Sequence, residues 1–263
     1  MKNVMNKLIF ICGVLFYTFS SLKAQGTNEK VMLVMDLSTS MLAQDILPDR
    51  FQRSKDLACA FLDEYPNASI GITIFAGSWE NVCMPVKDHK FLRSYLKEMK
   101  TGKLTDGTAI GSALLMAAHC LKEGGGTIIL ITDGMENCGT VSTSTAIEIL
   151  KHYHIKLNVI GLGTNGVAPY PVEMLKGKVE LIDMPTSIDH KYLSKITNAT
   201  GGLYYGVSSI ADYQKVIKDY QKPVWLEAPQ GIKVSDDFHL TEKVIQWLIN
   251  KTLGREDNLP FPK

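Results

Sequence analysis

The sequence predicts an α/β fold: a doubly wound, mostly parallel sheet with helices on both faces. Two observations lead to this prediction. Short apolar runs alternate along the chain with longer segments whose apolar residues recur at helical spacing, and this alternation is typical of parallel strands joined by crossover helices. One further stretch, 81–86, contains Pro85, which cannot donate to a ladder and so suits a short antiparallel edge strand.

The predicted strands are apolar runs bounded by turn residues. They cover residues 31–36, 70–75, 128–132, 157–161 and 203–205. The predicted helices carry apolar residues three or four positions apart. They cover residues 50–65, 91–99, 108–122, 144–153, 192–200 and 210–221. The first helix has the clearest limits, because Pro48 and Asp49 precede it and Pro66 stops it.

Two parts of the chain depart from this alternation. Residues 167–185 contain three prolines and an alternating stretch at 179–182, so we expect an inserted loop or β-hairpin there. Residues 222–263 carry the pattern of an amphipathic helix around 240–253, followed by a loose tail. The domain itself is therefore expected to span residues 26–221.

Residues 1–25 have the pattern of a secretory signal peptide. Lys2 and Lys7 precede a short apolar run at 8–19, and Ala24 offers a small residue before a cleavage point at Gln25. The run is too short to span a bilayer comfortably, so we expect an exported protein, periplasmic or secreted. An uncleaved N-terminal anchor is the alternative, and membrane attachment is expected only in that case.

Charge and cysteine content limit the possible partners and bonds. The net charge of +1 gives no electrostatic reason to expect a nucleic-acid partner. Of the four cysteines after residue 25, Cys59 and Cys120 lie on apolar faces of predicted helices and are interpreted as packed thiols. Cys83 and Cys138 follow strands. The sequence does not decide whether these two form a disulfide, because four cysteines can pair in three ways.

A metal site is predicted where two apolar strands end. One strand runs into Asp-Leu-Ser-Thr-Ser at 36–40, another ends in Thr-Asp-Gly at 132–134, and an Asp-Gly-Thr sequence at 106–108 opens a predicted helix between them. Carboxylate and hydroxyl oxygens suit hard cations such as Mg²⁺ or Mn²⁺. The loops after parallel strands are also where open α/β sheets place their ligands.

This set of motifs resembles the metal-ion-dependent adhesion site of von Willebrand factor type A domains. The D-x-S-x-S pattern, a later Gly-Thr and a strand-terminal Thr-Asp-Gly occur in the family's order, and the resemblance covers residues 28–221. It implies a Rossmann-like fold and a Mg²⁺ or Mn²⁺ ion held by five side chains: Asp36, Ser38, Ser40, Thr108 and Asp133. Without it, the first loop would be a polar turn and Thr108 an ordinary helix N-cap.

Two longer stretches resemble the type A domains of bacterial Bat aerotolerance proteins. They are Asp-Leu-Ser-Thr-Ser-Met-Leu-Ala-Gln-Asp at 36–45, and Gly-Leu-Gly-Thr before Ala-Pro-Tyr-Pro within 161–171. The second also matches G-x-G-x-x-G, a dinucleotide-binding pattern. That pattern needs a helix after its third glycine, and Pro169 and Pro171 oppose one here. We therefore expect a strand-exit turn and no dinucleotide.

The expected function is binding and not catalysis. Mg²⁺ needs six near-octahedral ligands, so five side chains leave a position that an Asp or Glu of a protein partner fills, as the family resemblance implies. Met41, Met135 and Asn137 are expected to form the rim around it. A metal-dependent phosphatase would need a second aspartate where Ser38 stands. The alternatives are a structural or assembly domain with a vestigial metal site, or a metal-dependent hydrolase.

Overall fold

The central sheet has six strands and is mostly parallel. The computed structural model describes residues 29–134, 136–174, 177–227, 229, 232 and 240–255. Its strands are β1 (Lys30–Asp36), β2 (Ser69–Phe75), β3 (Trp79–Val86), β4 (Gly126–Thr132), β5 (Ile155–Leu162), β6 (Gly166–Glu173), β7 (Val179–Thr186) and β8 (Tyr204–Val207). The sheet order is β3-β2-β1-β4-β5-β8, and β6 and β7 form a separate two-stranded sheet.

Helices connect the parallel strands. They are α1 (Arg50–Glu64), α2 (His89–Glu98), α3 (Ile110–Leu121), α4 (Thr143–His152), α5 (His190–Asn198), α6 (Ile210–Asp219) and α7 (Glu242–Thr252). Short 3-10 turns lie at Thr39–Leu42 and Pro223–Trp225. The predicted strands and helices are thus present, with ends that differ by a few residues.

Strand pairing confirms the predicted fold class. β1 pairs in parallel with β2 on one side and β4 on the other, and β4 pairs with β5 and β5 with β8 in the same sense. β3 runs antiparallel to β2 at the edge of the sheet. Pro85 lies in β3, where an edge strand tolerates the missing N–H.

Alternate residues of β1 face two separate hydrophobic cores. Leu33 and Met35 belong to the core beneath α1, α2 and α6. Met32 and Val34 belong to the other, beneath α3, α4, α5 and α7. Because both faces of β1 are covered, the strand is apolar throughout and does not alternate. The predicted C-terminal helix, α7, contributes Ile245 to the second core.

The segment predicted as an inserted loop or hairpin is a hairpin. β6 and β7 pair antiparallel along their whole length. Gly166, the last glycine of the G-x-G-x-x-G pattern, opens β6. The chain therefore leaves β5 through a turn and continues as a strand, not as a helix.

Three further predictions concern the two ends of the chain, membrane-spanning helices and the cysteines. The proposed signal peptide, 1–25, and the last residues of the tail, 256–263, lie outside the described residues. Within the described part, no helix is long and apolar enough to span a membrane. Cys83 and Cys138 are free thiols, so the disulfide that the sequence left open is not formed. Cys120 is buried and Cys59 half-buried.

Candidate metal centre

Two predicted ligands emerge side by side at the carboxyl end of the sheet. Asp36 is the last residue of β1, and Asp133 follows the last residue of β4. The two strands are parallel neighbours, with Met35 opposite Ile131. Asp36 is 0% exposed and Asp133 is 1% exposed. Two carboxylates are therefore buried together where the strands end.

The first loop turns its two serines toward these carboxylates. The Ser38 N–H donates to Asp36 Oδ1 over 2.8 Å. The Ser38 and Ser40 hydroxyl oxygens are 3.0 Å apart, and the Ser40 hydroxyl donates to Asp133 Oδ1 over 2.9 Å. Four of the five predicted ligands thus form one continuous chain of contacts.

Thr108 lies in the loop before α3, next to Gly134, and no hydrogen bond between described residues joins it to the other four predicted ligands. Its N–H donates to Asn137 Oδ1 over 2.9 Å, and its carbonyl accepts from the Asn137 N–H over 3.1 Å. A Cβ at Gly134 would lie 3.6 Å from both the hydroxyl oxygen and the methyl carbon of Thr108. The helix begins at Ile110 with Ala109 as its N-cap. The prediction that the helix starts at residue 108 is therefore wrong, and so is the alternative that Thr108 caps it.

Burial and like charge disfavour the ionised form of Asp36. Its Oδ2 accepts a 2.5 Å hydrogen bond from the Thr132 hydroxyl, and its Oδ1 accepts from Ser38. Even so, burial, followed by the charge of Asp133, raises the pKa of Asp36 to about 7. Burial also raises the pKa of Asp133, although Arg50 opposes that effect. A nearby positive charge would favour both carboxylates.

Arg50 is part of this centre, and the sequence prediction missed it. The side chain is 2% exposed. Its Nη1 donates to Asp133 Oδ2 over 2.7 Å, and its Nε and Nη2 donate to the two oxygens of Asp45 over 2.8 and 2.5 Å. Its Nη2 also donates to Thr186 of β7 over 2.6 Å. A buried guanidinium needs such partners, because an unpaired buried charge is costly.

The position of Arg50 in α1 could have revealed its role. It lies four residues before Ser54, seven before Leu57 and eleven before Phe61, all on the buried face of α1. A cation at that spacing on an apolar face predicts a buried ion pair.

Asp45 is the second residue that sequence reasoning missed. It accepts hydrogen bonds from the Thr164 N–H at 2.8 Å and the Thr164 hydroxyl at 2.9 Å, as well as from Arg50. Burial alone would raise the pKa of Asp45, but the hydrogen bonds and charge of Arg50 outweigh it, and the pKa is lowered. Asp45 therefore stays ionised and connects the first loop to the turn after β5.

The donor set and its charge fit a divalent cation. The centre contains three carboxylates, those of Asp36, Asp45 and Asp133, and one guanidinium, that of Arg50, which contacts Asp45 and Asp133. Two negative charges are left unbalanced when all are ionised. In the described part of the chain, no group of three or more His, Cys, Asp or Glu residues is placed to hold a metal. A cation bound here would need hydroxyl oxygens as ligands as well, and hard cations such as Mg²⁺ accept them.

The rim of the site differs from the prediction. Met41 is buried in the first core, because the 3-10 turn directs its side chain inward, so its assignment to the rim is wrong. Asn137 is exposed and holds Thr108. Met135 lies outside the described residues.

The β6–β7 hairpin borders the site instead. The Tyr170 hydroxyl donates to the Thr39 carbonyl over 2.8 Å. On the other side of the loop, the Thr39 hydroxyl donates to Asp106 over 3.1 Å. A pocket of about 360 Å³ lies between the first loop and the hairpin, lined in part by Ser40, Arg50, Tyr170 and Met184. No local sequence pattern predicts this approach, because it joins segments more than a hundred residues apart.

Several known proteins are similar to this chain in sequence and architecture. Residues 31–136 match the family model of the von Willebrand factor type A domain. The crystal structure of BatB from Bacteroides thetaiotaomicron matches with a TM-score of 0.63 at 28% identity. The match covers 73% of this chain and 96% of the BatB chain. An aerotolerance-related membrane protein from Bacteroides fragilis has a TM-score of 0.60 at 29% identity and covers 73% and 99%.

A curated relative extends the match beyond the family segment. An uncharacterised protein of Borreliella burgdorferi is 28% identical over 211 residues, which are 79% of this chain and 61% of the relative. The chain thus spans about three fifths of the length of the curated relatives that it matches first. Residues 31–136 thus match a von Willebrand factor type A domain, and the chain is similar in sequence and fold to BatB and to the aerotolerance-related membrane protein.

Proposed function

We propose that this domain binds a protein partner through a Mg²⁺ or Mn²⁺ ion at the carboxyl end of its sheet. The observation that supports this most directly is the buried pair Asp36 and Asp133, of which Arg50 contacts only Asp133. Asp36, Ser38, Ser40, Thr108 and Asp133 would hold the ion, directly or through water. The ion would supply an electrophilic centre for one further oxygen ligand.

The partner would contribute an exposed Asp or Glu. Ser38, Ser40 and Thr108 carry no formal charge, so the ion keeps a positive field that selects a carboxylate over a neutral group. The role is recognition and not enzymatic turnover, since Ser38 stands where a phosphatase of this kind needs its second aspartate. Changing the partner's acidic residue to its amide should remove most of the Mg²⁺-dependent affinity.

The first experiment measures the metal by itself. Binding heat and thermal unfolding are recorded with Mg²⁺ and with EDTA, because a ligand that binds only the folded state stabilises it by about 2.7 kcal/mol at a hundred times its Kd. Asp36→Asn should abolish the response. Asp63→Asn, which changes an exposed carboxylate of α1, should retain it. Absence of any wild-type response at millimolar Mg²⁺ would contradict the proposal.

The second experiment uses the partner. Proteins from the native envelope fraction are captured with Mg²⁺ and with EDTA, and the contact is located by cross-linking. Thr108→Val should weaken Mg²⁺-dependent capture while the fold stays intact. Capture that EDTA leaves unchanged, through a contact without a carboxylate, would contradict the proposed mechanism.

One observation supports a second candidate function. Arg50 already pairs with Asp133, so the guanidinium itself could stabilise the loops of a structural or assembly domain whose metal site is vestigial. That candidate predicts equal melting temperatures in Mg²⁺ and EDTA. Turnover of a phosphate or peptide substrate would instead indicate a hydrolase.

We also propose that the protein is exported. Two similar structures belong to BatB and to an aerotolerance-related membrane protein, and residues 1–25 have a signal-peptide pattern. Intact-mass measurement should find an N-terminus near Gln25 in a soluble envelope or external fraction. Retention of residues 8–19 in the membrane fraction would show an anchor instead.

A further inference from the structure

The β6–β7 hairpin exposes apolar side chains along β7. Val179 is 61% exposed and Leu181 is 57% exposed. β6, in contrast, is attached to the domain: Ala168 is buried, and the Pro169 carbonyl accepts a 2.8 Å hydrogen bond from the Gln44 N–H. A two-stranded ribbon buries little surface by itself, so β7 presents one of its edges and much of its side-chain surface to solvent.

The register of the hairpin fixes which backbone groups of β6 point outward. Opposite residues of an antiparallel pair alternate between hydrogen-bonded and non-hydrogen-bonded positions. Pro169 lies opposite Asp183, and its carbonyl bonds Gln44 outside the hairpin. This pair is therefore non-hydrogen-bonded. At the turn, the Met174 N–H donates to the Lys178 carbonyl, so these two residues form a hydrogen-bonded pair. Counting alternate pairs from there also makes Pro169 and Asp183 a non-hydrogen-bonded pair.

It follows that alternate residues of β7 direct their backbone groups away from β6. Asp183 does so as the partner of Pro169, and by the two-residue period Leu181 and Val179 do as well. Pro185 is the next position of this set. Its missing N–H agrees with the assignment, because an outward N–H is not needed inside the hairpin.

The two edges of the hairpin are unequal. On β6, the outward positions include Pro169 and Pro171, which have no N–H to offer. On β7, Val179, Leu181 and Asp183 each present an N–H and a carbonyl, and no backbone group of the described residues pairs with them. Proteins commonly blunt their free edges with proline, charge or bulges. β6 is blunted in this way, whereas this stretch of β7 accepts a further strand.

We propose that the outer edge of β7 binds an extended segment of a partner protein as an added strand. The segment carries apolar residues opposite Val179 and Leu181 and a Lys or Arg opposite Asp183. Asp183 is exposed, and the ion pair within the hairpin joins Lys178 to Glu180. Opposite charges across a strand pair are favourable. This contact uses main-chain hydrogen bonds and does not require the metal ion.

A second copy of this chain fits the edge less well. In a two-fold antiparallel pairing centred on Leu181, Asp183 would lie opposite Val179 and Glu180 opposite Ile182. In a pairing centred on Glu180, the Glu180 side chains of the two copies would lie opposite each other. In a pairing centred on Ile182, Asp183 would lie opposite Leu181. Each register opposes a charge to an apolar group or to a like charge, which is unfavourable. The occupant is therefore a segment of different sequence.

The test selects peptides from a phage-displayed library of random twelve-residue sequences on the full wild-type chain. Leu181→Pro removes one outward N–H without removing a bond of the hairpin, and Leu181→Thr is the matched control that keeps it. Synthetic copies of the selected peptides should bind the wild type and Leu181→Thr. They should lose about tenfold or more in affinity for Leu181→Pro, as expected for lost main-chain bonds.

Two further measurements, made on the wild type alone, test whether the peptide pairs with the edge of β7. Peptide binding should slow hydrogen exchange at the amides of Val179, Leu181 and Asp183. N-methylation of the alternate peptide amides that face β7 should abolish binding, whereas methylation of the other set should not. Both results should be the same in EDTA and in Mg²⁺, so failure here leaves the proposed metal function untouched.

Three outcomes would overturn the proposal. The first is that selected peptides bind Leu181→Pro as tightly as the wild type. The second is that no peptide is enriched on the wild type over that variant. The third is a wild-type dimer, seen by light scattering, that Leu181→Pro converts to a monomer, because a second copy would then occupy the edge.

Discussion

Polar side chains are buried in two regions of the sheet, and their hydrogen-bond partners differ between the two. In the amino half of β5, the ammonium of Lys156 donates to the Val224 carbonyl over 2.5 Å. Asn158 donates to the Trp225 carbonyl and accepts from the Leu203 N–H, both over 2.9 Å. At the carboxyl ends of β1 and β4, side chains are the main partners instead: the Thr132 hydroxyl for Asp36, and the Ser40 hydroxyl and the Arg50 guanidinium for Asp133.

We interpret this difference as the one between a structural contact and the proposed binding site. Backbone groups in the β5 region pair with both the nitrogen and the oxygen of the Asn158 amide. Trp225, in the segment that Asn158 contacts, lies in the core and stacks on Tyr205 with ring centroids 5.3 Å apart. At the carboxyl ends, Asp36 and Asp133 repel each other and Arg50 balances only part of their charge. The Lys156 and Asn158 side chains of the first region already have backbone partners, whereas we expect an added cation to stabilise the second region.

The largest expected effect is at Arg50. Arg50→Met leaves Asp45 and Asp133 as buried carboxylates without their cation, so the free energy of unfolding in EDTA should fall by about 3–5 kcal/mol. Urea denaturation measures the loss. Mg²⁺ should restore part of it, because a divalent ion can replace the missing charge.

The control for this change is on the same helix. Arg53 is partly exposed and pairs with Asp56 over 3.2 Å, so Arg53→Met should cost about 1 kcal/mol or less. A loss at Arg50 no larger than that at Arg53 would show that the carboxyl-end charges are not coupled as the structure indicates.

The second effect tests the β5 region. Asn158→Leu leaves the Trp225 carbonyl and the Leu203 N–H unpaired. The expected loss is about 2–4 kcal/mol, from about 1–3 kcal/mol for the buried carbonyl and about 1 kcal/mol for the half-buried N–H. Mg²⁺ should not change this loss, unlike the loss at Arg50. Asn198→Ala, at the exposed end of α5, should stay within about 0.5 kcal/mol of the wild type. Recovery of Asn158→Leu by Mg²⁺ would remove the distinction between the two regions.

The third effect changes sign with the metal. Because burial and Asp133 raise the pKa of Asp36, its ionised form is unfavourable without a cation. Asp36→Asn should therefore stabilise the protein in EDTA at pH 8 by about 1–2 kcal/mol. In Mg²⁺ the wild type should be the more stable of the two. Thermal unfolding in both buffers measures this, and the same order in both would argue against a metal at Asp36.

The sequence predicts the strands well, and it identifies the polar residues of the first loop, because both depend on local patterns. Residues 31–35 are apolar throughout, and Asp36, Ser38 and Ser40 follow within one turn. The structure brings these side chains to Asp133, which stands at the end of the neighbouring parallel strand. Parallel pairing alone explains that meeting.

The rest of the centre depends on contacts between distant segments. Arg50 joins Asp133 across 83 positions and Thr186 across 136, and no spacing rule gives such pairs. The prediction that Met41 lies on the rim of the site is wrong for a different reason. Its neighbour Ser40 faces the site, but the 3-10 turn directs Met41 into the core. Loop direction is set by backbone angles that composition does not encode.

The smallest effect concerns Lys156 and pH. Burial lowers the pKa of Lys156 to about 8, below the value of about 10.4 expected for an unfolded chain. Between these values the unfolded chain binds more protons than the folded one, so the contribution of Lys156 to stability rises with pH. Below pH 8 both states are protonated, and the contribution is constant.

Two variants isolate that slope. Lys156→Met has no charge to lose, and Lys156→Arg stays charged throughout. The free energy of unfolding of the wild type, measured by urea denaturation from pH 6 to 10, should rise relative to both variants above pH 8 and run parallel to them below it. Parallel curves over the whole range would mean that the ammonium of Lys156 keeps its proton, held by the Val224 carbonyl. The β5 region would then contain a buried charge, and its contrast with the carboxyl end would be one of partner type alone.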